Sequence, residues 1–151
     1  TFSDTVVDAL KATGAAYART VVSTNNFAIP NDWLRLHPTC HHAAPNLPQL
    51  CERFLQDNAP FGSQLFYLWG HSYEFNDQKN WHVIENFCKE LSNHPDIWYA
   101  TNIEIYDYVK AYEALRVSVD ERIIHNPTDI DVWFYHKGET HCVKAGQTLQ
   151  L

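Results

Sequence analysis

Apolar positions change period along the chain, and each change marks an element. Val6, Val7 and Leu10 share one helical face behind a Ser3 cap and Asp4, with Gly14 just beyond, so the chain opens on a helix. Residues 15–23 are small and β-branched around Tyr17 and Arg19, which suits a covered strand. A loop containing Pro30-Asn31-Asp32 leads to a short strand over 34–37. Asn46 and Gln49 make a capping pair for a helix with Leu47, Leu50, Cys51, Phe54 and Leu55 inward, ending near 57–60. The apolar run 65–69 is too short for a helix and reads as a strand covered on both faces, delivering a loop with His71, Ser72, Tyr73 and Glu74. From Asn80 a third helix carries Trp81, Ile84, Phe87, Cys88 and Leu91 at near 3.6 spacing. A short strand is expected over 97–100. Thr101 and Glu104 form a capping box for a helix to about Leu115, with Ile105, Tyr108, Val109 and Tyr112 inward.

Beyond Leu115 the pattern alternates: Val117 and Val119, Ile123 and Ile124, then Val132 to Tyr135, with turns at Asn126-Pro127 and Lys137-Gly138. Four helices alternate with four strands, so the fold class is α/β with a C-terminal antiparallel β tail. A sheet that starts on a helix and leaves its first edge bare belongs to a larger α/β unit. Residues 1–115 are therefore expected to form part of a barrel-like unit, and 116–151 an antiparallel tail packed on the same domain.

The composition, with 45 % hydrophobic and 19 % charged residues over 151 positions, is that of an ordinary globular chain. A formal charge of −7 and no basic run interleaved with aromatics argue against nucleic acid as a partner. No apolar stretch approaches the roughly 18 residues that span a bilayer, so no membrane partner is expected. There is no Met, and Thr1 is not a translation start, so a preceding segment is expected. Cys40, Cys51, Cys88 and Cys142 form no C-x-x-C pair and read as mostly buried thiols, which leans towards a reducing, cytoplasmic compartment.

In parallel α/β folds the carboxyl ends of strands carry the chemistry, so His71 is the first candidate for proton transfer, with Trp69, Tyr73 and Glu74 around it. Three imidazoles and a thiol crowd His37-Pro38-Thr39-Cys40-His41-His42. Neighbouring His41 and His42 do not readily face one ion, and no distant ligand pair is present, so the run reads as pocket lining or structural hydrogen bonding. Asp32 and Arg19 are candidates for a charge pair near strand ends. No G-x-S-x-G elbow and no glycine-rich phosphate loop occur, which removes serine hydrolases and nucleotide enzymes.

The segment Trp69-Gly70-His71-Ser72-Tyr73-Glu74-Phe75, with residues 10–21, 33–42 and Thr101-Asn102-Ile103-Glu104, resembles the polysaccharide deacetylases, the NodB-homology carbohydrate esterases, in a bacterial branch. The resemblance covers nearly the whole chain, with the central segment its specific part. It implies a partial (β/α) barrel of the deacetylase type and metal-dependent removal of acetyl groups from N- or O-acetylated polysaccharide. It also implies His71 as the late catalytic acid, with Trp69, Tyr73, Glu74, His37 and Arg19 towards the sugar. The family's early T-F-D-D segment and H-x-x-x-H helix have no counterpart here. The expected divalent metal, zinc or similar, therefore has its ligands outside this chain, in an N-terminal half or a second chain. The competing expectations are a non-enzymatic carbohydrate-binding module stacking sugars on Trp33, Trp69, Trp98, Tyr99 and Trp133, and an inactive deacetylase-like fragment.

Overall fold

In the computed structural model, which describes residues 2–56 and 62–151, the chain divides into two units, 1–98 and 99–151. The boundary falls ahead of the fourth expected helix, not after it, so that helix belongs with the β tail.

In the first unit α1 (Asp4–Ala12) starts as its cap dictates: the Ser3 side chain accepts from Val6 N–H. Only Val7 is buried on it, and Val6 faces outward. Where a strand was expected over 34–37 there is a 3₁₀ turn, Trp33–Arg35, because the Asp32 carboxylate caps it by accepting from Leu34 N–H and Arg35 N–H. The neighbouring strand over 15–23 shrinks to a single parallel bridge between Arg19 and Leu36. Regular pairing is confined to β1 (Cys40–His41) and β2 (Leu68–Trp69), which run parallel with Cys40 opposite Leu68 and His41 opposite Trp69.

The remaining parallel contacts are single hydrogen bonds. Thr24 N–H and Asn25 N–H donate to Pro38 and Thr39 carbonyls, and Thr39 N–H donates to Tyr67. Two residues account for the broken ladder. Pro38 has no N–H to give, and the Thr39 hydroxyl takes a backbone role by accepting from Tyr67 N–H. Residues 65–69 are half-buried throughout, where burial on both faces was expected.

Between the two strands runs α2 (Leu47–Gln56), whose Leu47, Leu50 and Cys51 enter the core as their spacing requires. The end expected near 57–60 lies outside the described residues. Phe27, Cys40 and Leu91 complete that core, with Phe54, Phe66 and Phe87 packed in edge-to-face contacts at 5.4 Å. The residues after β2, expected as a loop, form a helix, α3 (Ser72–Gln78), followed by α4 (His82–Leu91). No strand forms over 97–100; Trp98 and Tyr99 are exposed.

The second unit opens with α5 (Asn102–Glu113), whose capping box holds: Thr101 N–H donates to Glu104 Oε2 at 2.7 Å. Ala111 is its buried residue, and Tyr112, expected inward, faces out. β3 (Arg116–Val117), β4 (Ile123–His125) and β7 (Thr148–Gln150) form one antiparallel sheet in the order β3-β4-β7. β5 (Val132–His136) and β6 (Glu139–Val143) form a hairpin about Lys137 and Gly138, both at positive φ (48° and 95°), as a tight two-residue turn demands. Ile124, Val132 and Val143 close the core on Ala111. None of these small sheets is closed.

Candidate functional site

The carboxyl ends of β1 and β2 bring three histidines around one carboxylate. His71 sits in extended conformation (φ −118°, ψ 136°) as the N-cap of α3, and Glu74 is three residues into that helix. The Glu74 side chain turns back so that Oε2 accepts from His71 N–H at 2.8 Å. The same oxygen lies 2.9 Å from His42 Nε2, 3.3 Å from His41 Nε2 and 3.4 Å from His71 Nδ1. The His71 backbone N–H, then the His42 ring, hold the Glu74 carboxyl down to about 2, so it is ionised at any physiological pH.

His41 and His42 reach one oxygen because the strand stops between them. Successive residues of a strand point to opposite faces, but β1 ends at His41 and the chain turns, with Ala44 N–H donating to His41 C=O at 2.9 Å. The two rings therefore fall on one side, centroids 4.2 Å apart. His42 is 2 % exposed, clamped between the His41 ring and Phe75 at 4.1 Å. It also lies over the bare Cα of Gly70: a Cβ there would stand 2.6 Å from His42 Nε2 and closer still to Cδ2. Glycine at position 70 is what makes room for the buried imidazole.

Hydrogen-bond arithmetic assigns the protons. An ionised carboxylate only accepts, so His42 presents Nε2–H to Glu74, and its buried Nδ1 has no partner among the described residues. Ala43 N–H donates to His41 Nδ1 at 3.2 Å, so the His41 proton is also on Nε2. Burial, and then the neighbouring His42, lowers the His41 pKa, which keeps that ring neutral.

His71 is the accessible member of the group, its side chain 48 % exposed. Tyr73 stacks on its ring at 5.2 Å, and Trp69 meets it edge-on at 5.9 Å. The Arg19 guanidinium lies 4.2 Å over the Trp69 ring while donating to Thr20 C=O. Of the residues singled out from the sequence, His71, Trp69, Tyr73, Glu74 and Arg19 thus come together. His37 does not join them: its Nδ1 is bonded to the Thr20 hydroxyl at 2.5 Å, and its ring lies beside Phe2. Nor does Asp32 pair with Arg19; its partner is Arg35, which also bridges to Asp4. Trp33 is 6 % exposed and offers no stacking face.

Sequence reasoning gave this chain no metal ligands and passed over His41 and His42. No local pattern announces their meeting, although the His71-x-x-Glu74 spacing is that of an N-terminal helix cap and could have placed the carboxylate. The donor set of two imidazoles and a carboxylate is one that catalytic zinc takes. The three donor atoms lie within 4.8 Å of one another, and this is the one such group among the described residues. No family model, no curated protein and no solved structure matches the chain. No helix among the described residues is long and apolar enough to cross a membrane.

Proposed function

We propose that the chain forms part of a metal-dependent hydrolase that removes acetyl groups from an acetylated polysaccharide, with His71 as proton donor. The observation that carries this reading is the half-exposed His71 ring, set at the end of a parallel strand with one nitrogen turned to an ionised carboxylate, Tyr73 stacked on it and Trp69 edge-on. Glu74 fixes the orientation of the imidazole through Nδ1. The half-exposed ring can then pass a proton to the departing sugar nitrogen or oxygen. Trp69 and Tyr73 supply flat apolar faces for the pyranose, and Arg19 holds Trp69 in place. A divalent ion, when bound, polarises the acetyl carbonyl and activates water. In this reading the parallel strip of β1 and β2 belongs to a (β/α) barrel whose remaining strands come from a preceding segment or a second chain.

Acetate release from an N-acetylated glycan, measured on the full protein, tests the assignment. General acid catalysis contributes about 100- to 10,000-fold, so His71→Ala should lower kcat by that order while binding of the glycan persists. Undiminished turnover in His71→Ala would remove the role.

A second reading rests on Trp133 and Tyr135, which stand exposed two residues apart on the same face of β5. Such a pair stacks sugars without any metal. Glycan affinity that survives chelator and disappears in Trp133→Ala, in a protein without turnover, would favour a binding module.

A further inference from the structure

We propose that His41, His42 and Glu74 form a zinc-class divalent cation site within this chain. The inference deepens the hydrolase reading and rests on it for what the ion does, though not for whether it binds. Zinc bonds of about 2.0–2.1 Å put neighbouring donors about 2.9 Å apart at right angles and about 3.4 Å apart at tetrahedral angles. Glu74 Oε2 lies 2.9 Å from His42 Nε2 and 3.3 Å from His41 Nε2, inside that range, and all three donor atoms lie within 4.8 Å of one another.

The pocket is built and not incidental. His42 is 2 % exposed, yet it sits against a glycine whose Cβ would exclude it and between two aromatic rings that fix its plane. Its Nδ1 is buried without a partner among the described residues, so the ring is held there despite an unmet polar atom. Three protein donors leave positions open for water or substrate, as in catalytic zinc sites, and His71 lies beside them.

Ligation replaces the two N–H···O contacts to Glu74 with bonds to the ion. A ring bound to the ion through Nε2 carries its proton on Nδ1. For His41 that proton then faces Ala43 N–H, which now donates to Nδ1, so this contact breaks. Missing outer-shell acceptors weaken a site by about 10- to 100-fold relative to one with a complete outer shell.

Calorimetric titration of the full chain with zinc chloride, after dialysis against chelator, tests the site. One equivalent should bind, at least 10-fold more weakly in His41→Ala and in Glu74→Gln, and unchanged in His82→Ala, which alters an exposed helix residue elsewhere. Long-range nitrogen–proton NMR of the unmutated chain guards against variants that misfold: zinc should convert exactly two imidazoles from the Nε2–H to the Nδ1–H form. No binding below about 100 µM, or binding equal in all variants with no tautomer change, would overturn the site. The two proposals fail separately. Zinc bound here without turnover removes the reaction and keeps the site, whereas turnover that needs His71 in a protein that binds no zinc at these residues removes the site and keeps the reaction.

Discussion

Replacing Gly70 by alanine probes the whole constellation through one methyl group. The new Cβ would stand 2.6 Å from His42 Nε2 and closer still to Cδ2, where ordinary van der Waals contact begins near 3.4 Å, so the ring must retreat by well over an ångström. It has nowhere to go, because His41 and Phe75 already flank it with ring centroids at 4.2 and 4.1 Å. Overpacking of this kind costs about 1–3 kcal/mol, on top of the backbone strain that any side chain meets at φ +158°. With a urea m-value of about 2 kcal/mol per molar, the overpacking alone should lower the unfolding midpoint by about 0.5–1.5 M. Gly14→Ala is the control: at φ +74° it meets nothing within 4 Å, so only the left-handed backbone cost of about 1–2 kcal/mol applies. The two losses overlap in size, so the decisive measurement is a double-mutant cycle. If the collision is with the imidazole, His42→Ala should relieve Gly70→Ala and give a coupling of about 1–3 kcal/mol, while Gly14→Ala and His42→Ala should add to within about 0.5 kcal/mol. Additive behaviour of Gly70→Ala and His42→Ala would show that the ring does not occupy the space above Gly70. Zinc affinity should fall in Gly70→Ala and stay unchanged in Gly14→Ala.

Burial pushes the Cys40 and Cys51 thiols up to about 11 and 12, whereas Cys88 is exposed, so a thiol-specific disulfide reagent should label Cys88 first and reach Cys40 and Cys51 only on unfolding. Rapid release of four equivalents from the native chain would contradict that packing. In the second unit, the Lys144 ammonium and Ala145 N–H hold the Asp131 carboxyl below its ordinary value. A depressed carboxyl contributes stability that is complete above the unfolded value of about 3.9 and is lost as pH falls through the folded one. Urea midpoints should therefore fall more steeply below about pH 4 in the unmutated chain than in Asp131→Asn; parallel profiles would exclude the pair as a source of acid sensitivity.

Local chemistry was legible wherever one residue decides one bond. Ser3 and Thr101 cap their helices, the Leu47, Leu50 and Cys51 spacing buries α2, and Lys137-Gly138 turns the β5–β6 hairpin, each through contacts within a few residues. The tightly grouped part of the site was legible for the same reason, since Trp69, His71, Tyr73 and Glu74 are neighbours in sequence and share one strand end and helix start. The expected strands over 15–23, 34–37 and 97–100 were not, because apolar β-branched runs indicate a preference for extension without indicating a partner. Pro38, the Thr39 hydroxyl and the Asp32 cap then took the hydrogen bonds elsewhere.

What the sequence determined by itself is the capped starts of α1 and α5, the antiparallel hairpin and an imidazole next to aromatics, all of which follow from short-range spacing. Only the tertiary structure decided that His41 and His42 meet Glu74 from a different element, 32 residues on from His42. That meeting depends on where β1 stops, on the parallel register that sets His41 beside Trp69, and on the missing side chain at Gly70. No spacing rule along one segment encodes a convergence of two strand ends.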